Sequence, residues 1–436
     1  MQLIIEPGRS LAGRVSLPGD KSLSHRAALF AALADGESVI DNYLVAGVTR
    51  AMLGALTACG VSWDLQGSRL SIQGVGLHGL KSPAASLDCG NSATTMRLLA
   101  GMLAAAGTPA VLDGSDGLRR RPMGRIVDPL RRMGVPIEAN LGGTAPLRLS
   151  ARRAENPLSG LEYSLPVASA QVKTCLLLAA LGANAPSILR EPELSRDHSE
   201  RMLAAMGVDV RVDGTQVMLV PPRSARLTPI QMKLPGDISA GAFLIVAALV
   251  TPESELRMDN VLLNPTRTGL LDALQAMGAK IAITNLRQEH GEPVGDLLVS
   301  SSPLHGTEID GPMAVRMIDE FPAFAIAAAY ARGLTRVRGA SELRHKESDR
   351  ITALCAELRR LGVRVEEYLD GFTIHGGFPL SGGVVSSCGD HRLAMALSVA
   401  GLAAEGPVRV EGAEIIAESF PNFIEVMRSL GASLVA

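Results

Sequence analysis

The segment Met52-Leu-Gly-Ala-Leu-Thr-Ala-Cys-Gly60-Val-Ser joins an amphipathic helical pattern to a glycine and the start of an alternating strand. Glycine directly after a helix favours the left-handed C′ conformation, which ends the helix and turns the chain. The pattern recurs five times, and its glycines are 74, 73, 71, 84 and 69 residues apart. These later glycines are Gly134, Gly207, Gly278, Gly362 and Gly431. Such a long period predicts small α/β units rather than a solenoid of single hairpins.

A second series of helices alternates with the first and is rich in Ala and Leu, with almost no charge. Its members begin near Lys21, Asn91, Ser169, Asp237, Asp319 and Asp390. A helix that is apolar on all sides is a buried helix. Each unit should therefore contain one buried helix, one amphipathic outer helix and several short strands. Six units across 436 residues predict two similar domains of three units each.

The composition is that of a globular protein, with 47% hydrophobic and 20% charged residues. The net charge of -2 argues against a nucleic-acid protein with a strong positive field, and 3% aromatic residues provide no base-stacking platform. The longest apolar run, Ala240 to Val250, is far shorter than the ~20 residues of a membrane helix. Glu6 interrupts the stretch that a signal peptide would need. We therefore expect a cytoplasmic protein with neither nucleic-acid nor membrane partners.

The five cysteines are scattered, and no CxxC pair occurs. This distribution favours reduced, mostly buried thiols over a disulfide framework or a zinc site.

The starts of the buried helices carry polar and charged residues. Ser, Asp and Asn there can simply be N-caps. Capping does not explain Lys21, Arg26, Arg97 or Arg392, because cations are disfavoured near a helix N-terminus. Such cations suggest an anion between them, held where several helix N-termini converge on a cleft.

Three further basic clusters fit an anion site: Gly117–Pro122, Leu343–Arg350 and Ser195–Glu200. Bidentate arginine recognition of carboxylate or phosphate is the functional interpretation. Solvated surface charge is the alternative for each cluster.

Eight short motifs follow one another in a characteristic order. They are LPGDKSLSHR at 17–26, CGNSATTMR at 89–97, LRRRP at 118–122, ASAQ at 168–171, SRDH at 195–198, IDEFP at 318–322, RHKESDR at 344–350 and DHR at 390–392. Together they resemble the 5-enolpyruvylshikimate-3-phosphate (EPSP) synthase family over essentially the whole chain. The LPGDKS and SRDH forms resemble its glyphosate-tolerant bacterial subgroup.

This resemblance implies an α/β fold, a two-domain inside-out α/β barrel of the enolpyruvyl transferase type. Each domain would contain three βαβαββ units with buried parallel helices. One domain would span 20–236 and carry much of the shikimate 3-phosphate site. The other would comprise 1–19 and 237–436 and carry Asp319 and Glu347. The active site is expected in the cleft between them.

The resemblance also implies a 3-phosphoshikimate 1-carboxyvinyltransferase of the shikimate pathway, which serves aromatic amino-acid biosynthesis. Such an enzyme moves the enolpyruvyl group of phosphoenolpyruvate to the 5-hydroxyl of shikimate 3-phosphate. Phosphate leaves by addition–elimination through a tetrahedral intermediate. No metal or organic cofactor is implied, and the expected partners are these two substrates, with the protein a monomer.

The resemblance also implies site residues, at the positions where this sequence matches the motifs of the family. The catalytic set is Lys21, Asp319 and Glu347, and the sequence leaves open which of them moves which proton. The shikimate 3-phosphate set is Lys21, Ser22, Arg26, Ser169, Gln171, Arg196, Asp319 and Lys346. The phosphoenolpyruvate set is Lys21, Ala93, Arg121, Gln171, Arg350 and Arg392. His391 is either structural or catalytic.

Three positions depart from the pattern of many family members. Val45–Val48 contains no acidic pair, Glu418 stands where a lysine would contact phosphoenolpyruvate, and Ala93 stands where glyphosate-sensitive members have glycine. The last two differences predict glyphosate tolerance.

Two rival functions remain. The related UDP-N-acetylglucosamine enolpyruvyl transferase carries a reactive cysteine in the loop that corresponds to Gly117–Pro122, and this loop has none. A non-catalytic anion-binding protein on the same scaffold would not need the intact acid–base candidates.

Overall fold

The computed structural model describes residues 1–153, 156–222 and 227–436. They form two compact units. The central unit comprises Gly19–Leu234 with His290–Glu292, and the terminal unit comprises Met1–Pro18, Pro235–Glu289 and Pro293–Ala436.

Short helices and strands alternate along the whole chain. The helices are α1 Lys21–Leu33, α2 Gly47–Ala58, α3 Ala93–Ala106, α4 Asp116–Arg119, α5 Gly124–Arg132, α6 Ala170–Ala180, α7 His198–Ala205, α8 Ile238–Val250, α9 Gly269–Ala276, α10 Gly311–Arg316, α11 Phe321–Tyr330, α12 Arg350–Arg360, α13 His391–Ala400 and α14 Phe423–Ser429. The strands are β1 Gln2–Glu6, β2 Ala12–Ser16, β3 Asp35–Asp41, β4 Ser62–Gln66, β5 Arg69–Val75, β6 Leu87–Asp88, β7 Ala110–Asp113, β8 Ile137–Asn140, β9 Thr144–Leu149, β10 Glu162–Ser164, β11 Ser187–Arg190, β12 Asp209–Asp213, β13 Gln216–Val220, β14 Gln231–Lys233, β15 Glu255–Leu262, β16 Lys280–Glu289, β17 Glu292–Ser300, β18 Glu308–Ile309, β19 Gly333–Val337, β20 Arg364–Tyr368, β21 Gly371–Gly376, β22 Gly383–Ser386, β23 Val408–Glu411 and β24 Ser433–Val435.

Across the described residues the strands form six four-stranded sheets. Those of the central unit have the orders β14-β3-β5-β4, β6-β7-β9-β8 and β10-β11-β13-β12. Those of the terminal unit have the orders β22-β23-β1-β24, β16-β17-β15-β2 and β18-β19-β21-β20. Each sheet contains one parallel pair that involves an edge strand. This shared arrangement confirms the six repeated α/β units.

The repeat glycines end the outer helices as predicted. Each lies two residues after the last residue of α2, α5, α7, α9, α12 or α14, and a strand follows. Their φ angles are +84° at Gly60, +92° at Gly134, +90° at Gly207, +95° at Gly278, +81° at Gly362 and +107° at Gly431. Residues other than glycine rarely adopt this left-handed conformation, so the six glycines explain where the helices stop.

The apolar helix series is buried, also as predicted. It consists of α1, α3 and α6 in the central unit and α8, α11 and α13 in the terminal unit. In the central unit, α3 and α6 pack so closely that a Cβ atom on Gly101 would overlap the carbonyl oxygen of Cys175. Small residues on both helices permit this approach.

Capping explains most of the polar residues at the buried helix starts. Asp20, Ser92, Ser169, Asp237 and Asp390 each accept a hydrogen bond from a backbone N–H of the helix that follows. Helix α11 has no side-chain cap and instead begins with a proline in its first turn. The capping alternative is therefore correct for five of the six helices.

All five cysteines lie in the described part of the chain and are free thiols, with Cys388 exposed and the others buried. Among the described helices, none is long and apolar enough to cross a membrane.

Candidate active site

In the terminal unit, three predicted cations surround Asp319, which lies in the turn before α11. The Oδ1 atom of Asp319 is 3.4 Å from both Lys346 Nζ and Arg350 Nη1. Arg392 Nη1 donates a 3.0 Å hydrogen bond to the Asp319 backbone carbonyl, and Arg392 Nη2 is 3.8 Å from Oδ2. The Asp319 side chain keeps 17% exposure. The structure thus brings one acid–base candidate and three cations together, although they come from three separate segments.

Arg350 links this carboxylate to Glu347. Its Nη2 donates to Glu347 Oε2 at 2.7 Å, and its Nε donates to Asp390 Oδ2 at 2.7 Å. Burial of Arg350 acts to lower the pKa of its guanidinium, but the charges of Asp390, Glu347 and Asp319 outweigh burial and raise that pKa. Burial likewise acts to raise the pKa of Asp390, and the charge of Arg350 lowers it below its ordinary value. Arg350 therefore stays charged between the two predicted catalytic acids.

Local sequence places these arginines in the first turns of their helices. Asp349 caps α12, so that Arg350 is its first residue, and Asp390 caps α13 by accepting from the Arg392 N–H. The charge argument predicted an anionic ligand beside cations at such helix starts. Here protein carboxylates already provide part of the negative charge. His391, the first residue of α13, is buried.

In the central unit, the start of α1 carries Lys21 and Ser22, and Ser22 contacts Arg196. Lys21 is the first residue of α1, and the Asp20 carboxylate caps the helix through the Leu23 N–H at 2.8 Å. Arg196 Nη1 donates a 3.2 Å hydrogen bond to Ser22 Oγ. Two residues predicted for shikimate 3-phosphate are thus in direct contact, although 174 positions separate them.

Arg26, predicted for the same substrate, is buried among oxygen atoms of the protein. Its Nε donates to Ser199 Oγ and its Nη2 to Thr174 Oγ1, both at 2.8 Å. Its Nη1 donates to the Ser22 carbonyl at 3.1 Å. These bonds join α1 to α6 and α7, so Arg26 supports the geometry of its neighbours.

Gln171 belongs to a network whose other members were not predicted as site residues. Arg97 Nη1 donates to Gln171 Oε1 at 2.6 Å, and Arg97 Nη2 donates to the Pro122 carbonyl at 2.9 Å. Gln171 Nε2 donates to Thr94 Oγ1 at 2.9 Å. The sequence marked Arg97 only as an unusually placed cation. Its role in orienting Gln171 depends on a contact across 74 residues, which no local pattern reveals.

Ser169 caps α6 beside this network. Ala93 is the buried first residue of α3 and follows the cap Ser92. Gly90, with φ of +56°, turns the chain into this helix. Glu418 ends the 3-10 turn Ala413–Glu418 in the terminal unit and is partly buried.

The three successive arginines before Pro122 diverge. The segment is not a plain loop, since Asp116–Arg119 forms the short helix α4. Arg119 pairs with Asp113 at 2.7 Å on the surface, and Arg120 is exposed. Arg121 is buried. The predicted phosphoenolpyruvate residue is therefore the inward-facing member of the three.

Among the described residues, Asp197, His198 and Glu292 of the central unit could supply metal ligands, because their ligand atoms all lie within 4.8 Å of one another. These atoms already have protein partners. His198 Nδ1 is 2.7 Å from Glu292 Oε1, and Arg201 pairs with Asp197 at 2.7 Å. These contacts with neighbouring side chains account for the arrangement of the three residues.

Comparison with known proteins gives the same family as the sequence motifs. The family model described as EPSP synthase (3-phosphoshikimate 1-carboxyvinyltransferase) matches residues 5–427. A protein of Synechococcus sp. (strain JA-3-3Ab) named 3-phosphoshikimate 1-carboxyvinyltransferase is 48% identical over 98% of this chain and 96% of its own length. A protein of the same name from Syntrophomonas wolfei is 47% identical over 97% of this chain and 98% of its own length.

Solved structures agree with these matches. EPSP synthase from Acinetobacter baumannii is 40% identical, covers 100% of both chains and has a TM-score of 0.88. The enolpyruvyl transferase NikO from Streptomyces tendae shares the fold at 21% identity, with a TM-score of 0.79 over 100% of this chain and 98% of its own. The α/β enolpyruvyl transferase fold predicted from the motifs is confirmed.

Proposed function

Because this chain belongs to the EPSP synthase family and is an enzyme of that family, we propose that it converts shikimate 3-phosphate and phosphoenolpyruvate to enolpyruvylshikimate 3-phosphate and phosphate. The names of its relatives favour this reaction over transfer to a nucleotide sugar.

The observation that carries the proposal is the cluster around Asp319. Each substrate has a phosphate and a carboxylate, so both must be held by cations and N–H donors, which an apolar pocket lacks. Lys346, Arg350 and Arg392 bring three cations to one carboxylate. Such a group can bind an anionic substrate and hold an acid–base residue beside it.

Each catalytic candidate has a role that fits its position in the family's motifs. Asp319 would accept the proton of the 5-hydroxyl as that oxygen attacks the enol carbon. Glu347 would protonate the methylene carbon, and Lys21 would stabilise charge on the departing phosphate. Arg350 contacts both acids, with Nη1 3.4 Å from Asp319 Oδ1 and Nη2 2.7 Å from Glu347 Oε2, so one cation links the two carboxylates. In the elimination step one of these three groups must remove a proton from the methyl carbon as the C–O bond to phosphate breaks, and the motifs do not decide which group it is.

The test is release of inorganic phosphate from phosphoenolpyruvate with shikimate 3-phosphate as acceptor, and separately with UDP-N-acetylglucosamine. We expect turnover only with shikimate 3-phosphate. Turnover with the nucleotide sugar alone would support the rival transferase, and turnover with neither would support an anion-binding protein. Asp319→Asn controls for contaminating activity, because it should abolish most turnover in an otherwise identical preparation.

We further propose that the enzyme tolerates glyphosate. Two features support this: Ala93 in place of the glycine of sensitive members, and Glu418 in place of a lysine. An added methyl in a tight site excludes a longer inhibitor more strongly than a shorter substrate. An acid at 418 also removes a cation that would attract an anionic inhibitor.

A further inference from the structure

A buried ion cluster in the central unit is formed by residues close in sequence to the proposed shikimate 3-phosphate residues Gln171 and Arg196. Lys173, on α6, places its Nζ 2.6 Å from Glu191 Oε2 and 2.6 Å from Glu200 Oε1. None of the three side chains is more than 4% exposed. The cluster joins α6 to the end of β11 and to the first turn of α7.

Two carboxylates and one ammonium form a costly set of charges to bury. Burial acts to lower the pKa of Lys173, but the charges of Glu200 and Glu191 outweigh it and raise that pKa, so the lysine stays charged. Burial raises the pKa of Glu200, and the charge of Lys173 acts to lower it without outweighing burial. Three apolar side chains of similar volume would cost less free energy to bury. The specific benefit of the charged groups is therefore the geometry that they impose on their neighbours.

Glu191 uses its second oxygen to hold the adjoining loop. Its Oε1 accepts a hydrogen bond from the Ser195 hydroxyl, and its Oε2 lies 3.4 Å from the Ser195 N–H. The next residue is Arg196, which donates to Ser22 Oγ. At the other end of the cluster, Lys173 follows Ser169 and Gln171 within one helical turn. The cluster therefore spans from the start of α6 to the loop that carries Arg196.

We infer that Lys173 and Glu191 are positioning residues that fix Arg196 relative to the start of α6, and thereby set the affinity for shikimate 3-phosphate. The inference rests on the proposed function. Neither residue is assigned a contact with the substrate. Disrupting their link should weaken binding of shikimate 3-phosphate, while the acid–base groups of the terminal unit stay unchanged.

The experiment compares Glu191→Gln and Ser195→Ala with the wild type in steady-state assays. We expect the KM for shikimate 3-phosphate to rise about tenfold, as loss of a charge-assisted hydrogen bond implies. The kcat and the KM for phosphoenolpyruvate should stay within roughly threefold of wild type. A merely structural role would lower the active fraction, and hence kcat, without a selective change in one KM. Glu193→Gln, on the same loop but partly exposed, is the matched control and should behave as wild type.

The outcomes separate the two proposals. A wild type that turns over, with unchanged KM values in both Glu191→Gln and Ser195→Ala, overturns this inference alone. A wild type with no turnover on shikimate 3-phosphate overturns the proposed function and this inference with it. If Glu191→Gln does not fold, Ser195→Ala decides, because it leaves the Lys173–Glu191 pair in place.

Discussion

One edge of the Arg350 guanidinium donates two hydrogen bonds to the carboxylate of Asp390, with Nε 2.7 Å from Oδ2 and Nη2 3.3 Å from Oδ1. Two parallel bonds fix the plane of a guanidinium as a single ion pair would not. Nη2 also donates to Glu347 Oε2 at 2.7 Å, and Nη1 lies 3.4 Å from Asp319 Oδ1. Asp390, which is fully buried, thus determines how Arg350 meets both catalytic candidates.

Asp390→Asn should destabilise the protein while leaving helix α13 capped, because an asparagine oxygen can still accept from the Arg392 N–H. The variant loses the charge that compensates a buried guanidinium, so we expect the free energy of unfolding to fall by about 1–3 kcal/mol. Arg350 keeps Glu347 and Asp319 as partners, which limits the loss. Urea denaturation followed by circular dichroism measures the change. An unfolding free energy equal to that of wild type would show that the pair adds nothing to stability.

Asp319→Asn should lower kcat by about 10²–10⁴-fold, the typical contribution of a general acid or base. Asparagine keeps the shape of the side chain and its contact with Lys346 and Arg350, so folding should be nearly normal. The measurement is kcat with both substrates saturating. Glu308→Gln, which removes an exposed surface carboxylate of the same unit, is the control and should keep wild-type turnover. Near-normal turnover of Asp319→Asn would assign the base elsewhere.

His25 predicts a pH dependence of stability. Burial, together with the charges of Lys21 and Arg26, lowers its pKa from 6.5 to about 4. Between these values the unfolded chain binds a proton that the folded chain does not, so stability falls as pH drops from 6.5 to about 4. The loss should reach about 3 kcal/mol, since one pKa unit corresponds to about 1.4 kcal/mol.

Unfolding free energies of wild type and His25→Gln, measured across this pH range, test whether His25 causes the loss of stability at low pH. Removing the titrating group should flatten the curve, so that the difference between the two proteins narrows toward pH 4. His78→Gln replaces an exposed histidine and should leave the wild-type pH dependence unchanged. A His25→Gln curve parallel to that of wild type would rule out His25 as the source.

The sequence predicts features that depend on neighbouring residues, but it does not predict contacts that depend on packing between distant segments. A helix stop at Gly278 or a cap at Asp20 depends on neighbouring residues, so periodicity and residue type were enough to predict both. The partner of Arg97 is a glutamine on another helix, and packing of the buried helices determines it. Arg119 and Arg121 diverge because Arg119 is the last residue of the short helix α4 and pairs with Asp113 on the surface, whereas Arg121 lies beyond the helix end and is buried.

Ala93→Gly should make the enzyme more sensitive to glyphosate. Ala93 is a buried residue in the first turn of α3, where the helix start is fixed by the Ser92 cap and by the left-handed Gly90. Extra volume in a tightly packed site typically costs about 1–3 kcal/mol, and about 1.4 kcal/mol is a tenfold change in binding. Removing the methyl should therefore lower the inhibition constant for glyphosate at least about tenfold, while the KM for phosphoenolpyruvate changes little because that ligand is shorter.

Ala106→Gly removes a methyl from the last residue of the same helix and controls for the lower helix propensity of glycine. Glu418→Lys in the Ala93→Gly background should increase sensitivity further by restoring a cation. The mechanism is wrong if wild type is already inhibited by low micromolar glyphosate, or if Ala93→Gly and Ala106→Gly shift the inhibition constant equally.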